Sequence, residues 1–323
     1  MFDQEHTEKL TSELANRPFA LILLETTTLI LITVTAFVGN SCVLVVLYKT
    51  PRLRSATSLY LISLATSDVL LSIFVMPTSV LTSANGRNIF PDKLGKFVGW
   101  IFAQSAFVSL YTTPLIAINR FFWVVKPLLY KKYFHRSTVK RTVIGVWIFL
   151  FVFLLVLHLS SAIETTFYPG RVVYFIICTD ATSSIVTAFS HFFLVILPSA
   201  LTGICYWKLY AVVKTGQPTP PSTTINPDSI QNRSFLVKKE IQVTRCLLSL
   251  VCGFAICWIP CSILFHIAIY INLSRSMEMV IVYTAFISSA INPFLYNILN
   301  KPFRNRFLKL VCSKQNSIEV QAT

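Results

Sequence analysis

One acid stands alone in a long apolar stretch. Asp68 is the sole charged side chain between residues 58 and 82. A carboxyl group in hydrocarbon is costly, and an ionisable residue placed there is a functional hypothesis by default. Two further stretches break their own helices. Phe254-Ala255-Ile256-Cys257-Trp258-Ile259-Pro260 and Asn292-Pro293-Phe294-Leu295-Tyr296 each set a proline inside an apolar run. An interior proline removes a backbone hydrogen bond and clashes with the preceding turn, costing about 3 kcal/mol in a soluble helix. A membrane helix tolerates the break when a neighbour satisfies the freed carbonyl. Two such helices near the end of the chain imply a protein that moves. Covalent catalysis is not indicated, because the apolar runs carry no nucleophile–base pair and no Cys/His spacing of a zinc site.

The elements that hold these residues are membrane spans. Of 323 residues, 54% are hydrophobic and 13% charged, about half the charge of a soluble domain. The apolar runs are about 20 residues long without strict alternation, which predicts helices and not barrel strands. Seven spans are expected, near 22–48, 58–82, 94–125, 140–162, 185–213, 237–270 and 277–299. The first residues are polar and the first apolar run is long enough to span, so no cleavable leader is expected. The net charge of +15 is one-sided, with 21 of the 28 Lys and Arg on one side, in its loops, its tail and the span ends that face it. That asymmetry predicts a cytoplasmic basic face, an extracellular amino terminus and contact with anionic lipid. It argues against nucleic acid as the partner of the basic charge.

Three regions follow: an amino terminus over 1–21, a seven-helix domain over 22–299, and a tail over 300–323. The inner segment 215–234, with four prolines among Ser, Thr and Asn, reads as a mobile loop. Lys301 to Leu310 alternates bases with apolar residues at helical spacing and reads as a short amphipathic helix on the inner leaflet. Cys312 beside it is a palmitoylation candidate. Asn272-Leu273-Ser274 is a glycosylation sequon on an outer loop. Six cysteines fall within predicted spans and read as small buried hydrophobes. His158, His191 and His266 lie in outer halves of spans and read as separate polar spots, although a pH or Zn²⁺ sensor could use such residues.

These residues, taken in order, resemble class A, rhodopsin-like G-protein-coupled receptors. The likeness runs through Gly39-Asn40, Leu64-Ala65 with Asp68, Arg120 with Pro127-Leu128, Trp147, Pro198 with Tyr206, Phe254 with Trp258 and Pro260, and Asn292-Pro293 with Tyr296. Asn119-Arg120 is similar to melatonin-type receptors. The resemblance implies an all-α membrane protein, a seven-transmembrane helix bundle with a short eighth helix, in the plasma membrane. It implies that an extracellular small ligand is transduced to a heterotrimeric G protein, without enzymatic activity.

Residue roles follow from the same resemblance. Asp68 is placed beside Asn40, Ser109, Ser288, Ser289 and Asn292, a set of oxygens suited to an allosteric Na⁺. The alternative is a protonated Asp68 in a wet polar network. Arg120 is expected to pair with Glu240, because Asn119 replaces the usual adjacent acid. Trp258 is placed as a toggle over Pro260, and Pro198, Leu110 and Phe254 as a transmission core. Tyr206, Tyr296 and Pro293 belong to the moving inner half. Pocket positions are Phe102, Ala103, Ala106, Phe107, Ser190, His191, Leu194, Trp258, Cys261, Ser262, Phe265, Glu278, Val282 and Phe286. Phe102 stands where amine receptors carry an Asp, and Phe286 where opsins carry the retinal lysine, so neither a cationic amine nor retinal is expected. The set suits a small, weakly charged, partly aromatic ligand.

Three departures loosen the pattern. Gly95 replaces the cysteine that usually anchors the second outer loop, so Cys178 loses its partner and the loop is expected to be untethered. Thr113 replaces a sealing leucine. Pro114 is expected to kink the third span. Together they argue against tight closure of the inactive state, and Thr113, Pro114 and Asn119 predict raised basal activity. Two rivals stand beside this reading. One is a non-coupling or ligand-independent receptor of the same fold. The other is a transporter, which would need a polar path or repeated halves that the sequence lacks.

Overall fold

The structure, a computed structural model, describes residues 4–50, 56–178, 192–214, 252–268, 270–299 and 303–308. It opens with a helix that the sequence reading left as plain terminus, α1 (Gln4–Ala15). The spans follow: α2 (Phe19–Lys49), α3 (Ala56–Asn85) and α4 (Asp92–Val125). Helix α5 (Pro127–Tyr133) joins α4 to α6 (Arg136–Leu159). Strands β1 (Ile163–Tyr168) and β2 (Val173–Cys178) form an antiparallel hairpin that the all-α expectation did not include. Helix α7 comprises a π turn, Phe192–Ile196, and an α-helix, Leu197–Lys214. Then come α8 (Cys252–Ile267), α9 (Arg275–Leu299) and a short helix α10 over 303–308.

Among the described residues five helices are long and apolar enough to cross a membrane: α2, α3, α4, α6 and α9. The described part of α8 is a shorter apolar helix. Outward faces are greasy: Phe19, Leu24, Ile148 and Trp207 are all exposed. Such faces suit hydrocarbon and would be unusual in water.

Prolines shape the bundle. In α3 the π turn Leu71–Val75 immediately precedes the helix that carries Pro77 near its start. In α7 the π turn Phe192–Ile196 likewise precedes Pro198. Each proline ring would collide with the carbonyl four residues earlier, and widening that turn relieves the clash. In α9 the carbonyl four residues before Pro293 belongs to Ser289, and Asn40 Nδ2 donates to it at 2.9 Å. Gly39 makes this approach possible, since a Cβ there would lie 2.7 Å from the Pro293 ring. The Gly-Asn pair of α2 and the Asn-Pro pair of α9 thus form one joint. Helix α4 continues through Pro114 without a change of helix type.

The core has two main parts. Toward the basic face, Val43, Val46, Tyr60, Ile116, Val139, Tyr206 and Phe303 pack together, so α10 is fastened to the bundle through Phe303. Arg304 and Arg306 of α10 stay exposed. Toward the amino-terminal face, Leu14 of α1 and Val172 and Val173 of the hairpin join Leu29, Val75, Val98, Val282 and Phe286. This second core is made partly by segments outside the spans.

Candidate functional site

The middle of the bundle holds buried oxygens without partners. Asp68 is 1% exposed, and Asn292 Nδ2 donates to its Oδ2 at 2.9 Å. Asp68 Oδ1, Asn40 Oδ1 and Asn292 Oδ1 are buried with no hydrogen bond. Ser67 and Ser109 share a hydroxyl bond of 2.9 Å, while Ser288 Oγ donates to the Ala285 carbonyl of its own helix. Ser289 enters through its backbone, as the acceptor for Asn40, and through its hydroxyl, which lies near the Asp68 carboxyl. Three orphaned oxygens, one of the carboxyl group and two of neighbouring amides, fit a hard cation or ordered water.

Next to it lies the set expected to move. Phe254 and Trp258 stack with ring centroids 5.6 Å apart. Leu110, Thr113, Pro198, Phe254 and Trp258 all line one groove of about 690 Å³ between α7 and α8. Thr113 does not leave a bare hydroxyl there, because its Oγ1 donates to the Ser109 carbonyl at 2.9 Å. Toward the basic face, Asn119 is buried and accepts a 2.8 Å hydrogen bond from Thr57 Oγ1, so the residue replacing the usual acid is used to join α4 to α3. Arg120, beside it, is half-buried, and Tyr206 is buried in the basic-face core. Pro260 is exposed on α8.

The pocket positions divide among three packed groups. Phe102, Val282 and Phe286 belong to the core that contains Val172 and Val173, with Phe102 edge-on to Phe286 at 6.3 Å. Ala103 and Phe107 pack with Leu154 of α6 and Ile163 and Ile176 of the hairpin. Trp258 and Cys261 pack with Leu273, Ile281 and Ala285. Ala106 is buried and Ser262 half-buried. Phe265 meets Phe175 at 5.3 Å. The chain's own hairpin therefore occupies the space above Phe102 and Phe286.

That hairpin is tethered, contrary to the expectation from Gly95. A Cβ on Gly95 would fall within the Tyr174 ring, and one on Gly99 would collide with the Thr165 methyl. The two glycines, one turn apart on α4, form a groove that receives the hairpin. Asn88 Nδ2 holds the Tyr174 hydroxyl at 2.8 Å. Arg171 at the hairpin turn gives Nε to Glu278 at 2.6 Å, and Tyr168 gives its hydroxyl to the same carboxylate at 3.2 Å. The guanidinium also lies over the rings of Tyr168, Phe175 and Phe265 at 4.8–5.1 Å. Burial, with Glu278 adding to it, pushes the Tyr168 phenol well above its usual range, so it stays a neutral donor. Val172, next in the turn, has φ 49° and is 1% exposed. A β-branched residue there is strained, and its burial holds it.

A second buried ion cluster was missed from sequence. Glu25 receives both guanidinium nitrogens of Arg275, at 2.7 and 2.6 Å, and also pairs with Arg17. Arg17 further donates to the Leu14 carbonyl at 2.8 Å and the Ser83 carbonyl at 2.5 Å. Burial pulls the Arg17 pKa below the usual guanidinium range, opposed mainly by Glu25. The available signal was an acid three residues inside the first predicted span, together with bases on the side that should be poor in them.

Several expected residues lie outside the description. Ser190, His191, Glu240, Cys312 and the loop 215–234 are not among the described residues, nor are the side chains of Leu194, Tyr296 and Cys178. Of the histidines, His158 meets Trp100 edge-on at 6.0 Å and His266 meets Tyr270 at 5.5 Å. Among the described residues no group of three His, Cys, Asp or Glu could hold a metal.

Comparison with known proteins settles the class. Residues 39–296 match the family described as 7 transmembrane receptor (rhodopsin family). The chain belongs to this family and is a class A G-protein-coupled receptor. Somatostatin receptor type 4 of Rattus norvegicus is 24% identical over 87% of this chain and 71% of its own length. Melatonin receptor type 1A of Gallus gallus is 27% identical over 89% and 80%, and the neuromedin-K receptor of Cavia porcellus 26% over 89% and 66%. The melatonin likeness is thus one of several of similar strength. The crystal structure of squid rhodopsin shares the fold, with a TM-score of 0.78, 18% identity and coverage of 91% of this chain and 86% of that one. The transporter reading is not favoured.

Proposed function

We propose that this receptor sits in the plasma membrane with its amino terminus outside, senses a small ligand within the bundle and activates a heterotrimeric G protein at the basic face. The observation that carries this is the convergence of Leu110, Thr113, Pro198, Phe254 and Trp258 on one groove between α7 and α8. Elements meeting at one hollow can change their packing together, which is what a two-state bundle requires. A ligand then acts through its different affinity for the two states. The one-sided Lys and Arg distribution supports the orientation. Asn272, exposed between α8 and α9, is accessible as a glycan acceptor on that outer face. Cys312 and the exposed bases of α10 would hold the tail against the inner leaflet.

Asp68 is read as the resting-state Na⁺ site, with Asn40, Asn292 and the serines around it. When bound, the ion neutralises the buried carboxylate and links α2, α3 and α9. The three partnerless oxygens support this reading. No catalytic role is assigned to any residue, and no retinal is expected at Phe286.

The test is expression with a panel of chimeric Gα reporters, first without ligand, at matched surface level. An amino-terminal epitope should be detectable on intact cells. Output with at least one chimera is expected. Silence with all of them, at normal surface level, overturns the coupling reading in favour of a non-coupling receptor.

A further inference from the structure

Among the described residues at the amino-terminal mouth of the bundle, Arg171, Val172, Val173 and Glu278 pack against one another's elements and are each no more than 2% exposed. The groove of about 690 Å³ opens sideways. Its rim includes Ile196 of α7 and Ile259 and Ile263 of α8, each about half exposed. Its inner wall includes Trp258 and Thr113.

The lining specifies a chemistry. It contains no Asp, Glu, Lys or Arg, and its polar side chains besides Trp258 are Thr113, Ser199, Thr202, Ser262 and, at the rim, His266. Thr113 and Thr202 give their hydroxyls to carbonyls of their own helices. Trp258 Nε1 is buried and has no hydrogen-bond partner. A buried N–H without a partner is costly, and an acceptor on a bound molecule relieves that cost. The volume is that of a site for a single small molecule. We propose that this groove binds an uncharged membrane-dissolved lipophile, with an apolar body and a hydroxyl or carbonyl head that accepts a hydrogen bond from Trp258. Such a ligand reaches the receptor from the bilayer, and its coupling to signalling rests on the reading of Trp258 and Phe254 as the switch.

Two sources share this chemistry, sterols and acylglycerols. The full-length receptor in phosphatidylcholine nanodiscs is therefore photolabelled with a diazirine cholesterol and, separately, a diazirine monoacylglycerol, and adducts are mapped by mass spectrometry. At least one probe is expected to label 192–214 or 252–267 saturably, and its unlabelled parent to compete. Gly203 lines the groove, and a Cβ there meets nothing within 4 Å. Gly203→Phe should therefore fill the groove and cut saturable labelling by about tenfold, while leaving labelling of the outer face of α6 unchanged. Trp258→Phe should weaken it by about three- to tenfold through the lost donor. Labelling spread without saturation over α6 and the groove alike overturns the proposal. So does saturable labelling that Gly203→Phe leaves intact. Equal competition by palmitate overturns the uncharged head. The readout needs no G protein, so a receptor that is silent with every Gα chimera but labels saturably retains the site and loses only the signalling reading.

Discussion

Two polar clusters are buried in this receptor, and they are built on opposite terms. At the mouth, the carboxylates of Glu25 and Glu278 each receive a guanidinium at about 2.6 Å, and Arg17 and Tyr168 donate to what remains, so that both acids are paired although Arg171 Nη1 and Arg275 Nε have no hydrogen bond. At mid-bundle, Asp68 Oδ2 has the Asn292 amide as donor and the Ser289 hydroxyl lies near the carboxyl, while Asp68 Oδ1 and the side-chain oxygens of Asn40 and Asn292 have no hydrogen bond. A paired network fixes one arrangement, while an unpaired one is finished by something that comes and goes. The difference is what the proposed reading requires, a structural mouth and a regulatory middle. It can be broken from either side.

The largest effect is expected at the mouth. Glu25→Gln leaves Arg17 and Arg275 facing one another in a dry site. Removing one partner of a buried ion pair costs about 3–5 kcal/mol. The variant should melt earlier in detergent and reach the surface poorly. Replacing Glu25, Arg17 and Arg275 together by Met should recover most of the loss, because no uncompensated charge remains. A Glu25→Gln protein as stable as the parent would show that the cluster is not what ties α1, α2 and α9 together.

A smaller loss is expected where the hairpin enters α4. Gly95→Cys pushes a side chain into the Tyr174 ring, and overpacking typically costs about 1–3 kcal/mol. Tyr174→Ala removes the obstacle at its own cost. The double variant should therefore be destabilised by less than the sum of the singles, since residues in contact are coupled. Strict additivity in thermal melts would mean that the groove of Gly95 and Gly99 does not position the hairpin.

This contact also marks the limit of what was legible in the sequence. The spans could be read because long apolar runs have one solution in a bilayer. The joint of Gly39-Asn40 with Asn292-Pro293 could be anticipated, since a proline in a membrane helix must have its freed carbonyl met by a neighbour. Asp68 announced itself by its cost. The hairpin did not, because Gly95 was readable only as a missing cysteine. That a tyrosine 79 positions later fills the same space is a fact of tertiary packing, with no local signal. Helix α1 was hidden in the same way: Leu10 and Leu14 are four residues apart, but twelve polar-rich residues give too short a pattern to distinguish a docked helix from a terminus. Glu25 and Arg275 were visible as charges near span ends, and only the fold makes them partners.

At mid-bundle the expected effect is smaller and depends on salt. If Na⁺ binds the inactive state, a concentration ten times its dissociation constant stabilises that state by about 1.4 kcal/mol. Asp68→Asn should abolish this increment and leave melting without Na⁺ within about 1 kcal/mol of the parent, since the amide keeps one acceptor for Asn292. The check is a melt series in NaCl against N-methylglucamine chloride. Equal Na⁺ shifts in parent and variant would place the ion elsewhere or remove it from the account.

The smallest effect concerns the groove wall and is read as activity. Thr113 is 2% exposed, and its hydroxyl is satisfied by the Ser109 carbonyl, so its polarity is not expected to raise basal activity. Its missing volume is expected to, because it borders the groove with Phe254 and Trp258. Thr113→Leu adds apolar volume there and should favour the resting packing by about 1 kcal/mol, lowering ligand-free output roughly fivefold. Thr113→Val removes the hydroxyl at nearly constant size and should change basal output little. Basal reporter signal against surface level for the three proteins separates the two causes. If Val lowers output as far as Leu does, the hydroxyl and its bond to Ser109 set the resting state. If neither changes an active parent, the groove does not govern the equilibrium, and mid-bundle regulation must act through Asp68 alone.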